Sequence, residues 1–160
     1  STTGDTVNGR KRLSVSDILT LKERFDDANI PMDRRYLVLN PKHVTDLILF
    51  DLKAFKNITD LTDGNPNRFA GFNILQTSIT PVYNSTTMEK KDWGSDKADT
   101  DTFCSFAFHG DEVMKADGDV FMYLKENDPE ERGSIVGFDK RFIAFPIRNK
   151  ALGAIVSAKV

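Results

Sequence analysis

Length, composition and charge describe one globular domain and exclude several classes of protein. At 160 residues, with 39% apolar and 29% charged residues, the chain can bury a substantial core and is not typical of disordered proteins. Its 22 basic and 24 acidic side chains nearly cancel, which argues against electrostatically driven binding of nucleic acid. We also expect no sequence-specific binding of nucleic acid. No apolar run approaches the roughly 20 residues that span a bilayer, so we expect a soluble, cytosolic protein without a membrane partner.

The beginning of the chain predicts a tail followed by a helix. Residues 1–12 are polar and end in Arg-Lys-Arg, a composition that predicts a flexible tail or linker. The next stretch, "SVSDILTLKERFDDANIP", has apolar residues at helical spacing, with Ser14 as a cap, Asp17 in the first turn and Pro31 at the end. These signals predict an amphipathic helix of about fifteen residues.

The most regular stretch, "RRYLVLNPKHVTDLILF", combines a strand with a helix start. Tyr36–Leu39 is wholly apolar, as is typical of a strand with both faces covered. Asn40 suits the capping position and Pro41 the first helical position. Apolar residues then continue on one face, and we predict a second helix over residues 41–55.

A loop, a strand and a long polar excursion follow. The segment "KNITDLTDGNPNRFAG" is rich in turn residues, and "FNILQTSITPVYN" alternates until Pro81 interrupts it, which predicts a strand at a sheet edge. Residues 84–101 are polar and contain the single tryptophan, Trp93. Long surface segments of this kind are often functional or mobile.

The remaining sequence predicts mainly strands. In "TFCSFAFHG" both sets of alternate positions are apolar, so the pattern does not assign the buried face, and Cys104 is interpreted as a buried, inert thiol. "DEVMKADGD" predicts a helical turn, "VFMYLKEN" a strand and "DPEERGS" an acidic turn. The clearest strands are "RFIAFPI" and "GAIVSAKV", separated by "RNKAL".

Motifs for catalysis or metal binding are largely missing. His43 lies in the first turn of the second helix, where a side chain is typically exposed, and His109 lies 66 positions further on, so neither is spaced as a metal ligand. Both histidines are interpreted as structural or surface residues. Asp96, Asp99 and Asp101 lack the register of a calcium loop and are interpreted as a solvated acidic loop. There is no glycine-rich phosphate loop and no nucleophile elbow. We therefore expect no cofactor and no metal site.

Trp93 has three interpretations. In "EKKDWGSDK" it could stack on single-stranded nucleic acid, anchor a protein contact, or fold back onto its own domain. Acidic neighbours argue against the first, whereas tryptophan is enriched where proteins bind one another. The sequence leaves the choice between a contact and a folded-back side chain open.

Three motifs in order resemble the major capsid proteins of tailed bacteriophages, the Hong Kong 97-type fold. They are the strand and helix start "VLNP" at Val38–Pro41, with an apolar Leu47 in the helix, the strand "GFNILQTSITP" at Gly71–Pro81, and the terminal strands, interpreted as a pair. These terminal strands are Phe142–Pro146 and Ala151–Val156, with Arg148 between them. The resemblance covers about residues 14–82 and 140–160, and the segment 84–138 does not align.

The resemblance implies an α+β fold and a mechanical function. The expected architecture is an axial domain plus part of the peripheral domain, with a central, mainly antiparallel sheet flanked by helices. Residues 13–160 would form one domain, in which 84–138 is either an inserted or a diverged region. In this family an extended loop and an N-terminal arm precede the matched region. This sequence has neither, and its start at Ser1 rather than Met fits a fragment of a longer chain.

The function implied is that of a non-enzymatic virion structural protein. Such subunits assemble into an icosahedral shell around DNA, in the host cytoplasm, as capsomers and with scaffolding or portal proteins as further candidate partners. The alternative from the residues alone is a small α+β enzyme with Asp or Glu and His43 as its acid-base groups. The candidate subunit contacts are Trp93, Lys90, Lys91, Asp92, Arg34 and Arg35.

Overall fold

The computed structural model describes residues 1–50, 68–96, 98–128 and 133–159. The last part of the predicted second helix, residues 51–55, and the following loop up to residue 67 lie outside them, as does the centre of the predicted acidic turn.

Two helices are described, α1 (Val15–Asp27) and α2 (Pro41–Phe50), together with short 3-10 turns at Gly110–Glu112 and Asn149–Ala151. The strands are β1 (Thr6–Val7), β2 (Arg10–Lys11), β3 (Arg35–Leu39), β4 (Arg68–Phe69), β5 (Phe72–Gln76), β6 (Val82–Asn84), β7 (Asp101–His109), β8 (Val113–Asp128), β9 (Gly133–Pro146) and β10 (Leu152–Val156).

A mixed sheet forms the centre of the described structure. Its strand order is β10-β7-β3-β5-β4, and β6 pairs with the beginning of β7. β3 and β5 are parallel, whereas the other pairs in this sheet are antiparallel. The sheet therefore matches the predicted mainly antiparallel arrangement, but the parallel pair was not predicted.

Helix α1 forms where the sequence predicts it and packs on the sheet through its apolar face. Ser14 and Asp17 form a capping box, which satisfies free amides of the first turn. The buried Phe25 ring meets Phe72 edge to face, with ring centroids 5.4 Å apart. The helix approaches β10 so closely that a Cβ on Gly153 would lie 2.5 Å from Leu21 Cδ1. Burying each large apolar side chain of this interface contributes about 1.5–3 kcal/mol.

The strand and helix start at "VLNP" are also confirmed. Leu37, Val38 and Leu39 are all buried, as the uninterrupted apolar run predicts for a strand between two neighbours. The Asn40 side chain accepts a hydrogen bond from the Lys42 amide at 3.1 Å, which caps α2. This junction fixes the direction in which α2 leaves the sheet.

Residues 1–12 are built into the fold, although their composition predicts a flexible tail or linker. Strands β1 and β2 form a small hairpin, and the Thr2 amide donates to the Val156 carbonyl at 2.9 Å. The Arg10 guanidinium binds the buried Asp46 carboxylate of α2 through two hydrogen bonds of 2.6 and 2.9 Å. Polar residues can therefore form an ordered segment here because α2 and the end of the chain supply their partners.

A long two-stranded ribbon replaces several of the predicted elements. The helical turn predicted for residues 111–119 is limited to Gly110–Glu112, and the rest of that segment belongs to β8. β8 pairs along its length with β9. The two terminal strands of the sequence, Phe142–Pro146 and Ala151–Val156, were interpreted as a pair, and this is wrong. The first belongs to the ribbon, whereas the second pairs with β7 in the central sheet.

Candidate assembly surfaces

His43 is part of a buried polar cluster rather than exposed. Its Nδ1 lies 2.6 Å from Ser105 Oγ, and its Nε2 lies 2.8 Å from Ser157 Oγ. A neutral imidazole has one donor and one acceptor nitrogen, so it donates to one serine and accepts from the other. Burial lowers the pKa of His43 to about 4, which keeps the ring uncharged at neutral pH. The exposure that is typical of this helix position is therefore not observed, because residues 62 and 114 positions away enclose the ring.

This cluster connects elements and does not offer a site for substrate. A serine beside a histidine is the arrangement of an activated nucleophile, but such a pair must reach the substrate. His43, Ser105 and Ser157 are all 0% exposed. Their hydrogen bonds instead join α2, β7 and the segment after β10. The enzyme alternative, with His43 in acid-base chemistry, gains no support from this geometry.

Other candidate reactive groups also have structural roles. Burial raises the pKa of the Cys104 thiol to about 12, in agreement with a buried, inert thiol. His109 is buried, and its Nδ1 accepts a hydrogen bond from the Asp111 amide at 3.3 Å. Hydrogen bonds from Lys91 and the Ala98 amide lower the pKa of Asp101. Within the described residues, no group of three or more His, Cys, Asp or Glu side chains is placed to hold a metal ion.

Trp93 stands on the surface beside an open groove. Its side chain is 81% exposed, so the alternative that it folds back onto its own domain is wrong. The groove has a volume of about 500 Å³ and is lined by residues 78–82 and 90–95. Ile79, which is 65% exposed, lies in the same wall. The excursion therefore presents apolar side chains to solvent, which is typical of a surface that binds another protein.

The charged contact candidates lie in different environments. Lys90, Lys91 and Asp92 line the Trp93 groove, and Lys91 donates to Asp101 at 2.7 Å. Arg34 is largely exposed at the far end of the sheet and pairs with Asp111 at 2.5 Å. The pair raises the pKa of Arg34. The structure therefore places these residues at two separate positions rather than on one surface.

Arg35 differs from the other contact candidates because its side chain is only 1% exposed. The guanidinium donates to Asp26 at 2.7 Å, to the Pro31 carbonyl at 2.8 Å and to the Ile30 carbonyl. These bonds close the turn between α1 and β3. Arg35 therefore makes internal contacts, and its guanidinium is not available at the surface.

The β8–β9 ribbon carries the largest group of exposed apolar side chains in the described structure. Cross-strand register places five of them on one face of its outer half. Each of the five is at least half exposed, and they are Val120, Met122, Leu124, Val136 and Phe138. Sequence reasoning found both strands but not their exposure. The apolar runs "VFMYL" and "RFIAF" were the available signal, and an apolar run alone does not say whether its side chains are covered within the chain.

Comparisons with known proteins identify the fold. No protein-family model matches the chain, and no curated protein sequence matches it. A chain from the capsid structure of the cyanophage P-SCSP1u is similar with a TM-score of 0.61 and 17% identity, over 86% of this chain and 43% of that one. A chain from a structure of Mycobacterium phage Che8 gives a TM-score of 0.60 and 14% identity, over 96% of this chain and 52% of that one.

These similarities show a phage capsid-like fold. The prediction from three sequence motifs is therefore confirmed as far as a phage capsid-like fold. The chain spans about half the length of the two phage chains it matches. In the part of the chain that the structure describes, no helix is long and apolar enough to cross a membrane.

Proposed function

We propose that this chain is the major capsid subunit of a tailed bacteriophage or prophage, or a fragment of it, with the Hong Kong 97-type fold. In this role many copies assemble into an icosahedral shell that encloses DNA. The shell forms in the host cytoplasm and becomes part of the virion, with scaffolding or portal proteins as further partners. The observation that carries the proposal is the similarity of 86–96% of the chain to phage structures, one of them a capsid.

The distribution of apolar side chains supports an assembly role. An isolated two-stranded ribbon is marginally stable in water unless it packs against another element. Here Phe138 and Phe142 are 71% and 69% exposed on such a ribbon. A monomer that remained alone would leave this surface in water, whereas a shell subunit has several neighbours that can cover it.

Within this proposal, residues 13–160 form one capsid-like domain that combines the axial domain with part of the peripheral domain. The segment 84–138, which carries no family motif, supplies β8 and one wall of the Trp93 groove, the wall formed by residues 90–95. We propose Trp93, Lys90, Lys91, Asp92 and Arg34 as contacts between subunits. Arg35 is left out because its guanidinium is buried among internal partners.

Expression of the complete gene product that contains this chain tests the proposal, alone and with the products of adjacent reading frames. Sedimentation velocity and negative-stain electron microscopy report the size and shape of the products. We expect rings or closed shells of uniform diameter. Monodisperse monomers under all these conditions would contradict the assembly role.

A variant of the Trp93 surface makes the test specific. Trp93→Asp places a charge at the centre of the proposed contact and is expected to prevent assembly while the subunit stays folded. Thr87→Asp, on an exposed part of the same excursion, serves as the matched control and is expected to assemble normally. Circular dichroism and thermal melting establish that both variants are folded.

A further inference from the structure

A small basic cleft lies at the beginning of β7. Its floor is the Phe103 ring, with Lys42 Nζ 4.8 Å and Arg10 Cζ 5.4 Å from the ring centroid. The cleft has a volume of about 310 Å³, and Lys159 and Asp101 also line it. Three basic side chains, one carboxylate and an aromatic ring therefore share one small opening.

Three distant parts of the chain bring the basic side chains of this cleft together. Arg10 belongs to β2, Lys42 to the first turn of α2 and Lys159 to the end of the chain. Two hydrogen bonds to the buried Asp46 fix the Arg10 guanidinium, and residues 10 and 159 face each other in an antiparallel bridge. The cleft is therefore built by tertiary packing and is not a run of neighbouring surface lysines.

The positive charges of the cleft are not balanced within the described structure. Arg10 is neutralised by Asp46, but neither Lys42 nor Lys159 forms an ion pair with a described acidic residue. Both lysines are exposed. The cleft therefore presents two ammonium groups to solvent without a described acidic partner.

The carboxylate in the lining does not cancel these charges. The side chain of Asp101 is only 4% exposed, and its Oδ2 accepts hydrogen bonds from Lys91 Nζ and from the Ala98 amide, both at 2.7 Å. These hydrogen bonds lower the pKa of Asp101, so that it stays ionised, with Lys91 as its counter-charge. An anion that enters the cleft therefore meets exposed ammonium groups and a covered carboxylate.

The basic groups of the cleft suit a phosphate. An ammonium group binds phosphate as a point charge, without the flat fork with which a guanidinium matches a carboxylate or a base edge. The one guanidinium of the cleft is already bound by Asp46. The cleft can therefore recognise negative charge but not base sequence. The near-zero net charge of the chain argues against a large basic surface, and a local site of two lysines is compatible with it.

In a shell that encloses DNA, the phosphates that every subunit meets are those of the DNA backbone. Duplex DNA carries one negative charge for about every 1.7 Å of its axis. Two lysine contacts bind DNA weakly in one subunit, whereas the many subunits of a shell act on the same DNA molecule together. Such contacts hold the DNA at the wall and leave each one easy to break.

We propose that the cleft at Phe103 binds a backbone phosphate of DNA through Lys42 and Lys159, without reading the base sequence. This inference rests on the capsid role proposed above and adds a ligand and an orientation to it. The surface formed by β2, the start of α2 and the end of the chain is then the surface that faces the enclosed DNA.

Titration of this chain with a short DNA duplex tests the site, with NMR amide shifts and the fluorescence anisotropy of labelled duplex as readouts. We expect shifts at Lys42, Phe103 and Lys159 and equal affinity for duplexes of different sequence. Lys42→Ala/Lys159→Ala should reduce the slope of log binding constant against log salt concentration by about 2, because two phosphate contacts are lost. Lys42→Glu/Lys159→Glu should weaken binding about tenfold or more at low salt. Arg68→Glu/Lys150→Glu makes the same change of charge at other exposed positions and should retain most of the affinity.

Inorganic phosphate and poly-glutamate, titrated in the same way, distinguish the possible sources of the anion. DNA binding that is absent, or that the cleft variants leave unchanged while circular dichroism shows them folded, overturns the inference. Tighter binding of poly-glutamate than of DNA would also overturn it and identify a contact for an acidic protein segment. Binding of inorganic phosphate without binding of DNA would identify a site for free phosphate instead. These titrations do not require assembly, so failure of the complete gene product to form shells contradicts the proposed function separately.

Discussion

Acidification should destabilise the fold through His43. The imidazole is 0% exposed and held between two serine hydroxyls, so a proton that charges the ring must be accommodated without water. In the unfolded chain the same ring is solvated and takes up a proton with a pKa near 6.5. The unfolded state therefore gains protons before the folded state does.

The sign and size of the effect follow from the two pKa values. The pKa of His43 falls from 6.5 to about 4 on folding because burial disfavours the charged ring. The contribution of His43 to the free energy of unfolding is fully present above pH 6.5 and decreases as the pH falls from 6.5 to 4. Below pH 4 this residue causes no further loss. At about 1.4 kcal/mol for each pH unit, the loss amounts to about 3 kcal/mol at pH 4.

Urea denaturation at a series of pH values between 7 and 4 measures this loss. Acidic residues such as Asp26 and Glu112, whose ion pairs lower their pKa values, also contribute below about pH 5. His43→Gln removes the titrating ring and keeps the carboxylates, so the difference between wild type and variant isolates His43. We expect the free energy of unfolding of the wild type, relative to that of His43→Gln, to fall by about 3 kcal/mol between pH 7 and pH 4.

An NMR titration of the two histidine rings provides an independent reading. The His43 C2 proton should show no shift change until the pH falls well below 6. Equal pH dependence of the unfolding free energy in wild type and His43→Gln, or a His43 pKa near 6.5 in the folded protein, would refute the reasoning.

Three further predictions concern single residues. Gly153→Ala is expected to lower the free energy of unfolding by about 1–3 kcal/mol, measured by urea denaturation, because the new methyl group would lie 2.5 Å from Leu21 Cδ1; an unchanged midpoint would contradict this. Cys104 should not react with a thiol reagent at pH 8 until the protein is unfolded, given its pKa of about 12, and a native-state reaction as fast as that in urea would be inconsistent with its burial. Iodide should quench the fluorescence of Trp93, the only tryptophan, readily in the free subunit and less readily after assembly. Equal quenching in both states would show that Trp93 does not lie in a contact between subunits.

Local signals predicted the parts of the fold that local interactions determine. The capping box at Ser14 and Asp17 and the helix start at Asn40 and Pro41 involve residues within four positions of one another, so the sequence pattern contains both partners. The wholly apolar Tyr36–Leu39 likewise predicts a covered strand from composition alone.

The errors concern partners that are far apart in the sequence. The helix pattern around His43 is typical of an exposed position, since its serine partners, 62 and 114 positions away, leave no trace in that pattern. Residues 1–12 were assigned as a tail because the binding of Arg10 by Asp46 cannot be inferred from either segment. The terminal strands were paired with each other because they are neighbours in the sequence, although β7 and β8 provide longer and better matched partners.

The candidate site was predicted only in part for the same reason. Trp93 could be singled out from its charged surroundings, and its 81% exposure agrees with a contact role. Arg35 could not be separated from Arg34 by sequence, yet one guanidinium is buried in the turn after α1 and the other faces solvent. The sequence does not predict that Arg10, Lys42 and Lys159 line one cleft beside Phe103, because Arg10 and Lys159 are brought together by pairing between the N-terminal hairpin and the end of the chain.

Cryo-electron microscopy of particles formed by the complete gene product tests the central claim most directly. We predict closed shells whose wall contains the six-stranded sheet and the β8–β9 ribbon of this chain in every subunit, with the ribbon in contact with a neighbouring copy. Particles whose wall has no density that fits this fold, or preparations without any closed particle, would contradict the assignment to a phage capsid.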